Sequence, residues 1–126
     1  MIPRYLGAGL VAALALCSSA ALAEGDPEAG AKVFNKCRAC HTADQPQNKV
    51  GPHLVGLIGR EAGSVEDFRY SPAMKDSGIT WNEETLAEYL ADPRGYVKGN
   101  RMAFVGLRNE EEIADVIAYL KAATAE

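Results

Sequence analysis

The apolar positions of the chain recur at helical spacing in three stretches, and no stretch has a persuasive strand pattern. The first stretch lies between residues 27 and 39, the second between 83 and 91, and the third follows Asn109. Each stretch places its apolar residues on one helical face. These faces consist of Gly30, Val33, Phe34 and Cys37 in the first, Leu86, Tyr89 and Leu90 in the second, and Ile113, Val116, Ile117 and Leu120 in the third. The pattern predicts an all-α fold.

Residues that favour helix starts precede the three stretches. They are Asp26-Pro27, the capping-box-like Thr80-Trp81-Asn82-Glu83, and Asn109. Asp92-Pro93 is expected to end the second helix at Ala91. A further short helix is predicted over residues 72–77, and a loop is predicted over residues 95–107.

Residues 42–71 show no helical pattern and contain repeated glycine and proline. Such a long irregular segment is unusual in a small domain. Only 7% of the residues are aromatic, and long apolar runs are too few to build an ordinary core. Both observations fit a chain that wraps a large, flat, apolar cofactor.

The chemistry of the chain is concentrated in Cys37-Arg38-Ala39-Cys40-His41. Two cysteines three positions apart, followed directly by histidine, are typical of a c-type haem attachment site. The thiols could each bond one vinyl group of a porphyrin, and the imidazole of His41 could bind its iron. A zinc site remains open, although adjacent residues rarely converge on one tetrahedral centre. A redox-active thiol pair is also open, but no strand precedes Cys37 as such a site requires.

Residues 1–23 have the features of a cleavable secretory signal peptide. Arg4 provides a positive start, residues 6–16 are rich in Ala and Leu, and Ala21-Leu22-Ala23 provides small residues before a cut at Glu24. We therefore expect one domain, residues 24–126, in the periplasm. Cleavage would remove Cys17 and leave Cys37 and Cys40 as the only thiols, so both could be used for cofactor attachment.

The mature chain is expected to be acidic. Loss of Arg4 from the 13 basic residues leaves 12 against 17 acidic ones, a formal charge near −5. This balance argues against nucleic acid as a partner, because nucleic acid requires a clustered positive excess.

A second protein ligand would decide whether the iron of a bound haem is accessible to small molecules. The candidates are His53, Met74 and Met102. A methionine is usually core filler, but Met102 lies in a loop that contains Gly99 and Gly106 rather than on an apolar helix face. His53 follows His41 closely, so it would not easily reach the other side of the ring.

Nearly all of the mature chain resembles the class I c-type cytochromes, specifically the mitochondrial-like cytochrome c group and its soluble bacterial relatives. The resemblance rests on the Cys37–His41 motif and several further segments. These are Gly51-Pro52-His53-Leu54, Gly56, Gly59-Arg60, Tyr70, Gly78–Leu86, Glu88-Tyr89-Leu90, Asp92-Pro93, Tyr96, Gly99–Phe104, Gly106 and Ile117–Leu120. It implies a small fold of three to five helices around one covalent haem, with the first and last helices crossed at Gly30, Phe34, Val116 and Tyr119.

The resemblance also implies a role for individual residues. Cys37 and Cys40 would form the thioether bonds, with His41 as the proximal and Met102 as the distal ligand. The carbonyl of Pro52 would accept a hydrogen bond from His41, and Tyr89 would approach the Met102 sulfur. Arg60, Tyr70 and Trp81 would contact the haem propionates. Met74 and Lys98 depart from the family pattern, where Asn and Pro are common.

The function implied is that of a monomeric electron carrier, not an enzyme, with a positive reduction potential. Its donor would be a membrane quinol-oxidising complex, and its acceptor a terminal oxidase or a photosynthetic reaction centre, each docked only transiently. The expected docking residues are Lys36, Lys49, Arg94, Arg101 and Arg108. The alternatives are a haem enzyme or gas sensor with a labile distal methionine and a zinc-binding interaction module.

Overall fold

A computed structural model describes residues 2–3, 7–12 and 24–126 of the chain. Most of the predicted signal peptide, residues 1–23, therefore lies outside the described residues. The described positions before residue 24 have no regular secondary structure. Within the described ranges, no helix has the length and hydrophobicity needed to span a membrane.

Five helices form the described part of the domain. They are α1 (Pro27–Phe34), α2 (Pro72–Lys75), α3 (Glu83–Ala91), α4 (Pro93–Tyr96) and α5 (Glu110–Ala123). The β-structure of residues 24–126 is limited to an isolated antiparallel bridge between Glu61 and Thr80. The prediction of an all-α fold is confirmed.

The first and last helices begin where their caps predict. The Asp26 side chain accepts a hydrogen bond from the Glu28 amide, and the Asn109 side chain accepts bonds from the amides of Glu111 and Glu112. The predicted capping box of α3 is wrong by two residues. Asn82, not Thr80, is the N-cap, and it exchanges hydrogen bonds with Thr85. Thr80 is instead held in the bridge to Glu61.

Helix α1 ends five residues before the predicted end at Ala39. After Phe34 the backbone tightens into turns, because the Cys37 amide bonds the Phe34 carbonyl at 2.8 Å, a three-residue step. The Cys40 amide repeats this step to the Cys37 carbonyl at 3.1 Å. The cysteine motif therefore lies in a tight turn after α1 and not inside the helix.

Two short helices also differ from the prediction. Helix α2 ends at Lys75, earlier than expected. Helix α4 falls partly in the segment 95–107 that was predicted to be loop. It forms because Asp92 caps it, with Pro93 at the first helical position and the Gly95 amide bonded to the Asp92 carboxylate at 3.0 Å. The Asp-Pro pair that begins α1 thus begins α4 as well.

Helices α1 and α5 cross at a glycine. A Cβ atom added at Gly30 would overlap the Asp115 carbonyl and approach Tyr119, so only glycine allows the two backbones this close. One turn later, the rings of Phe34 and Tyr119 pack with centroids 5.2 Å apart. This crossing fixes the end of α1, and hence the start of the cysteine-containing turn, against the C-terminal helix.

Candidate functional site

A mainly apolar cavity of about 330 Å³ lies between the helices and loops of the domain. Residues from α1, α2, α3 and α5 line it, together with the loops between them. The lining brings together four of the residues singled out from the sequence, namely Cys37, Cys40, His41 and Met102. The long irregular segment before α2 thus encloses a cavity and not an ordinary side-chain core.

The two cysteines lie at the border of this cavity and are partly exposed. Neither forms a disulfide. The turn that carries them is closed by bonds from the amides of Cys40 and His41 to the Cys37 carbonyl, at 3.1 and 2.9 Å. Burial and the neighbouring Cys40 raise the pKa of Cys37. Because neither cysteine is in a disulfide, both sulfur atoms are available for covalent attachment of a group in the cavity.

His41 has one ring nitrogen occupied and the other available. Its Nδ1 lies 2.7 Å from the Pro52 carbonyl oxygen, and because a carbonyl can only accept, Nδ1–H is the donor. Burial lowers the pKa of His41, which favours the neutral form of the ring. The Nε2 lone pair of such a ring can bind a metal, and the bond to Pro52 fixes its tautomer.

The thioether of Met102 reaches the same cavity from the loop between α4 and α5. The hydroxyl of Tyr89 donates a hydrogen bond to the Met102 sulfur at 3.8 Å. Burial raises the pKa of Tyr89 to about 12, so the hydroxyl keeps its proton at physiological pH. Tyr89 is itself positioned by Trp81, whose ring centroid is 5.0 Å away.

Arg60, Tyr70 and Trp81 also line the cavity. Arg60 donates from one terminal nitrogen to the carbonyls of His53 and Val55, at 3.0 and 3.1 Å. Its Nε is buried and has no hydrogen-bond partner among the described residues. An unpaired buried donor in the wall is costly unless a ligand in the cavity accepts from it.

Met74 and His53 were the other candidates for the second iron ligand, and only Met74 lines the cavity. Met74 of α2 lines it, whereas His53 lies outside the lining and accepts a hydrogen bond from the Val55 amide through Nδ1. Among the described residues, no group of three His, Cys, Asp or Glu side chains could hold a metal ion.

The five basic residues expected at a docking surface are all exposed. Lys36 and Arg101 also line the cavity, so they lie at its mouth. Lys36 is 3.9 Å from the Glu112 carboxylate, which neutralises part of its charge. Lys49, Arg94 and Arg108 do not line the cavity.

Sequence reasoning missed two contributors to the site. Asn100 lines the cavity and hydrogen-bonds the backbone on both sides of itself. Gly51 lies against the His41 ring, where any Cβ would overlap the imidazole. Both residues belong to segments that carry the family resemblance, Gly51-Pro52-His53-Leu54 and Gly99–Phe104, but their contacts depend on the fold and could not be predicted from those segments.

The residues present fit a haem c. The cavity supplies apolar walls for a flat macrocycle, two unpaired thiols at its border, a neutral imidazole and a thioether. The buried Nε of Arg60 supplies an unpaired donor that a carboxylate could satisfy. A thioredoxin-like pair would require none of these further features.

Comparison with known proteins agrees with this fit. Residues 27–124 match the family model described as Cytochrome c. The chain is 50% identical to cytochrome c-550 of Nitrobacter winogradskyi over 76% of this chain and 89% of that protein. It is 46% identical to cytochrome c2 of Blastochloris viridis over 82% of this chain and 83% of that protein.

A solved structure extends the agreement to the fold. The cytochrome cH from Methylobacterium extorquens superposes with a TM-score of 0.74 at 42% identity, covering 78% of this chain and 99% of that one. The expected small cytochrome c fold is thereby confirmed. With Cys37 and Cys40 standing as the attachment pair for one covalent haem c, the chain belongs to the cytochrome c family of electron carriers.

Proposed function

We propose that residues 24–126 form a periplasmic single-haem electron carrier in which His41 and Met102 are the axial iron ligands. One observation carries this proposal, namely that an imidazole, a thioether and both motif thiols line the same apolar cavity. When bound, haem c supplies an iron that accepts and releases one electron. His41 and Met102 would both bind the iron and leave no ligand position for a substrate, so we expect an electron carrier and not an enzyme.

On the proximal side, the chain would hold the imidazole in one orientation. The Pro52 carbonyl accepts a hydrogen bond from Nδ1–H at 2.7 Å, which leaves the lone pair of Nε2 available to bind the iron. Gly51 packs against the ring and limits its rotation. Such support restricts rearrangement when the charge of the iron changes, which favours rapid electron transfer.

On the distal side, the chain would favour the reduced state. A thioether ligand raises the reduction potential, and so does an apolar surround that disfavours the extra charge of ferric iron. The Tyr89 hydroxyl withdraws electron density from the Met102 sulfur and adds to this preference. We expect a positive reduction potential, with Arg60, Tyr70 and Trp81 facing the propionates.

Electrons would pass through the cofactor edge beside the partly exposed cysteines. Lys36 and Arg101 lie at the cavity mouth and would form the centre of a positive docking surface, to which Lys49, Arg94 and Arg108 contribute. Such a surface steers an acidic partner on a protein of acidic overall charge. The partners we propose are a membrane quinol-oxidising complex as donor and a terminal oxidase or photosynthetic reaction centre as acceptor.

Export and cleavage after residue 23 complete the proposal. The charged start, the apolar run and the small residues before Glu24 support a cleavable leader. Mass spectrometry of the exported protein tests this point. The expected product begins at Glu24 and carries one haem through two thioether bonds.

Absorption spectra of the protein, produced in a haem-attaching host, test the ligand assignment. We expect low-spin iron in both oxidation states and the weak far-red ferric band of sulfur–iron ligation. Met102→Ala should remove that band, whereas Met74→Ala should keep it. A high-spin wild-type protein that binds small ligands freely would instead indicate a haem enzyme or gas sensor.

A further inference from the structure

The segment between α4 and Met102 is tied down by one side chain, Asn100. The amide nitrogen of Asn100 donates to the carbonyl of Pro93 at 2.7 Å and to the carbonyl of Val97 at 2.9 Å. Its amide oxygen accepts from the backbone N–H of Met102 at 2.9 Å. The side chain therefore joins both ends of α4 to the residue that provides the thioether.

The partners fix the orientation of this amide. A flipped amide would place its oxygen against two carbonyl oxygens and its NH₂ group against the Met102 N–H. Both arrangements are repulsive, so only the observed one satisfies the donors and the acceptor. Replacing Asn100 would leave backbone groups of a partly buried segment without these partners. A buried donor or acceptor without a hydrogen-bond partner destabilises the fold.

The backbone turn before Asn100 shows why its side-chain hydrogen bonds matter for holding this segment in place. The turn before it is closed by main-chain bonds from Val97 to Pro93 at 3.0 Å and from Asn100 to Val97 at 3.1 Å. Gly99 within this turn has φ of +91°, and Lys98 carries no ring to restrict its backbone. Neither a ring at position 98 nor a Cβ at position 99 restrains this turn, so the Asn100 amide adds restraints that Lys98 and Gly99 do not supply.

We propose that Asn100 is the positioning residue that keeps the Met102 thioether in the cavity and thereby closes the distal side of the site. This inference rests on the proposed role of Met102 as axial ligand. The segment must release its bonds to Asn100 before the sulfur can leave. The population of the open segment determines how readily an external ligand replaces the sulfur, because apparent affinity scales with that population.

Binding of imidazole to the ferric holoprotein measures this opening. For Asn100→Ala we expect the apparent affinity for imidazole to rise by at least about tenfold, the factor that loss of one or two net hydrogen bonds provides. The far-red ferric band should weaken and should disappear at a lower temperature than in the wild type. An unchanged imidazole affinity in Asn100→Ala would overturn the inference.

Two further variants separate positioning from general destabilisation. Asn100→Asp keeps the size of the side chain but loses both donors, so it should open the segment at least as much as alanine does. If Asn100→Asp behaves like the wild type, the donors have no such role and the inference fails. Asn109→Ala removes the N-cap of α5, which lies outside the Met102 segment. Asn109→Ala should lower the unfolding temperature without raising the affinity for imidazole. If it raises that affinity as much as Asn100→Ala does, the effect of Asn100→Ala reflects lost stability alone and the inference fails.

The same spectra distinguish failure of this inference from failure of the proposed function. If the wild type lacks the far-red band, Met102 is not the ligand and the proposed function falls first. If the wild type has the band and Asn100→Ala retains it with wild-type imidazole affinity, only the role of Asn100 is lost.

Discussion

The hydroxyl of Tyr89 donates a hydrogen bond to the sulfur of Met102 across 3.8 Å. Because burial raises the pKa of Tyr89 to about 12, this donor persists over the whole physiological pH range. The relationship joins α3 to the loop before α5, two parts of the chain that enclose the same cavity. If Met102 binds the iron as proposed, this hydrogen bond would adjust how strongly the thioether donates electrons to it.

Tyr89→Phe is expected to lower the reduction potential. Without the hydrogen bond the sulfur donates more strongly to ferric iron, and the lost bond is worth roughly 0.5–1 kcal/mol. Redox titration of the holoprotein measures the shift. Tyr96→Phe is the matched control, since Tyr96 packs near Tyr89 but does not line the cavity. A potential in Tyr89→Phe equal to or above that of the wild type would contradict the expectation.

Gly51→Ala is expected to displace the His41 ring. The added Cβ would overlap the imidazole, so either the ring or the backbone from Gly51 to Pro52 must move. Such overpacking typically costs about 1–3 kcal/mol. Denaturant unfolding of the holoprotein measures the loss. Gln47→Ala, at an exposed position of the same loop that does not line the cavity, should change stability by no more than about 0.5 kcal/mol. Wild-type stability in Gly51→Ala would show that the ring has room.

Gly30→Ala tests the crossing of α1 and α5. Alanine favours a helix by about 1 kcal/mol over glycine, yet its Cβ would overlap the Asp115 carbonyl on the facing helix. We expect the steric cost to prevail and the variant to lose about 1–3 kcal/mol of unfolding free energy. Lys32→Ala, at an exposed position of the same helix, should be close to neutral. A Gly30→Ala protein more stable than the wild type would show that helix propensity prevails.

Arg101→Glu tests the docking surface. Arg101 is exposed and lines the cavity mouth, so reversing its charge should slow electron transfer with an anionic iron complex at low ionic strength. The difference from the wild type should diminish as salt screens the charge. Stopped-flow rates at several ionic strengths measure it. Lys75→Glu makes the same charge change at an exposed residue away from the cavity lining. Equal slowing in both variants would mean that net charge, not location, sets the rate.

The sequence allowed prediction of the features that depend on near neighbours. Asp26 and Asn109 cap their helices through amides two or three residues away, so both starts were predictable. The end of α1 was not predictable. After Phe34, hydrogen bonds that span three residues appear where the chain turns into the cavity wall. Helix α4 was missed although Asp92-Pro93 repeats the pair that begins α1.

The same division applies to the site. Cys37, Cys40 and His41 are neighbours in sequence and could be identified from their order. The hydrogen bonds of Asn100 to Pro93 and Val97 depend on how α4 packs beside the Met102 segment, so no sequence pattern predicts them. The unpaired Nε of Arg60 likewise becomes visible only when its surroundings are known.

The contact between α1 and α5 has a consequence for biogenesis. Gly30 is buried by residues that belong to the last helix of the chain, so this part of the fold cannot close before the C-terminal residues are available. If the chain is exported N-terminus first, as proposed, its cysteine motif would emerge before the helix that packs against α1. The contact between α1 and α5, which joins the two ends of the domain, would then form late and complete the fold.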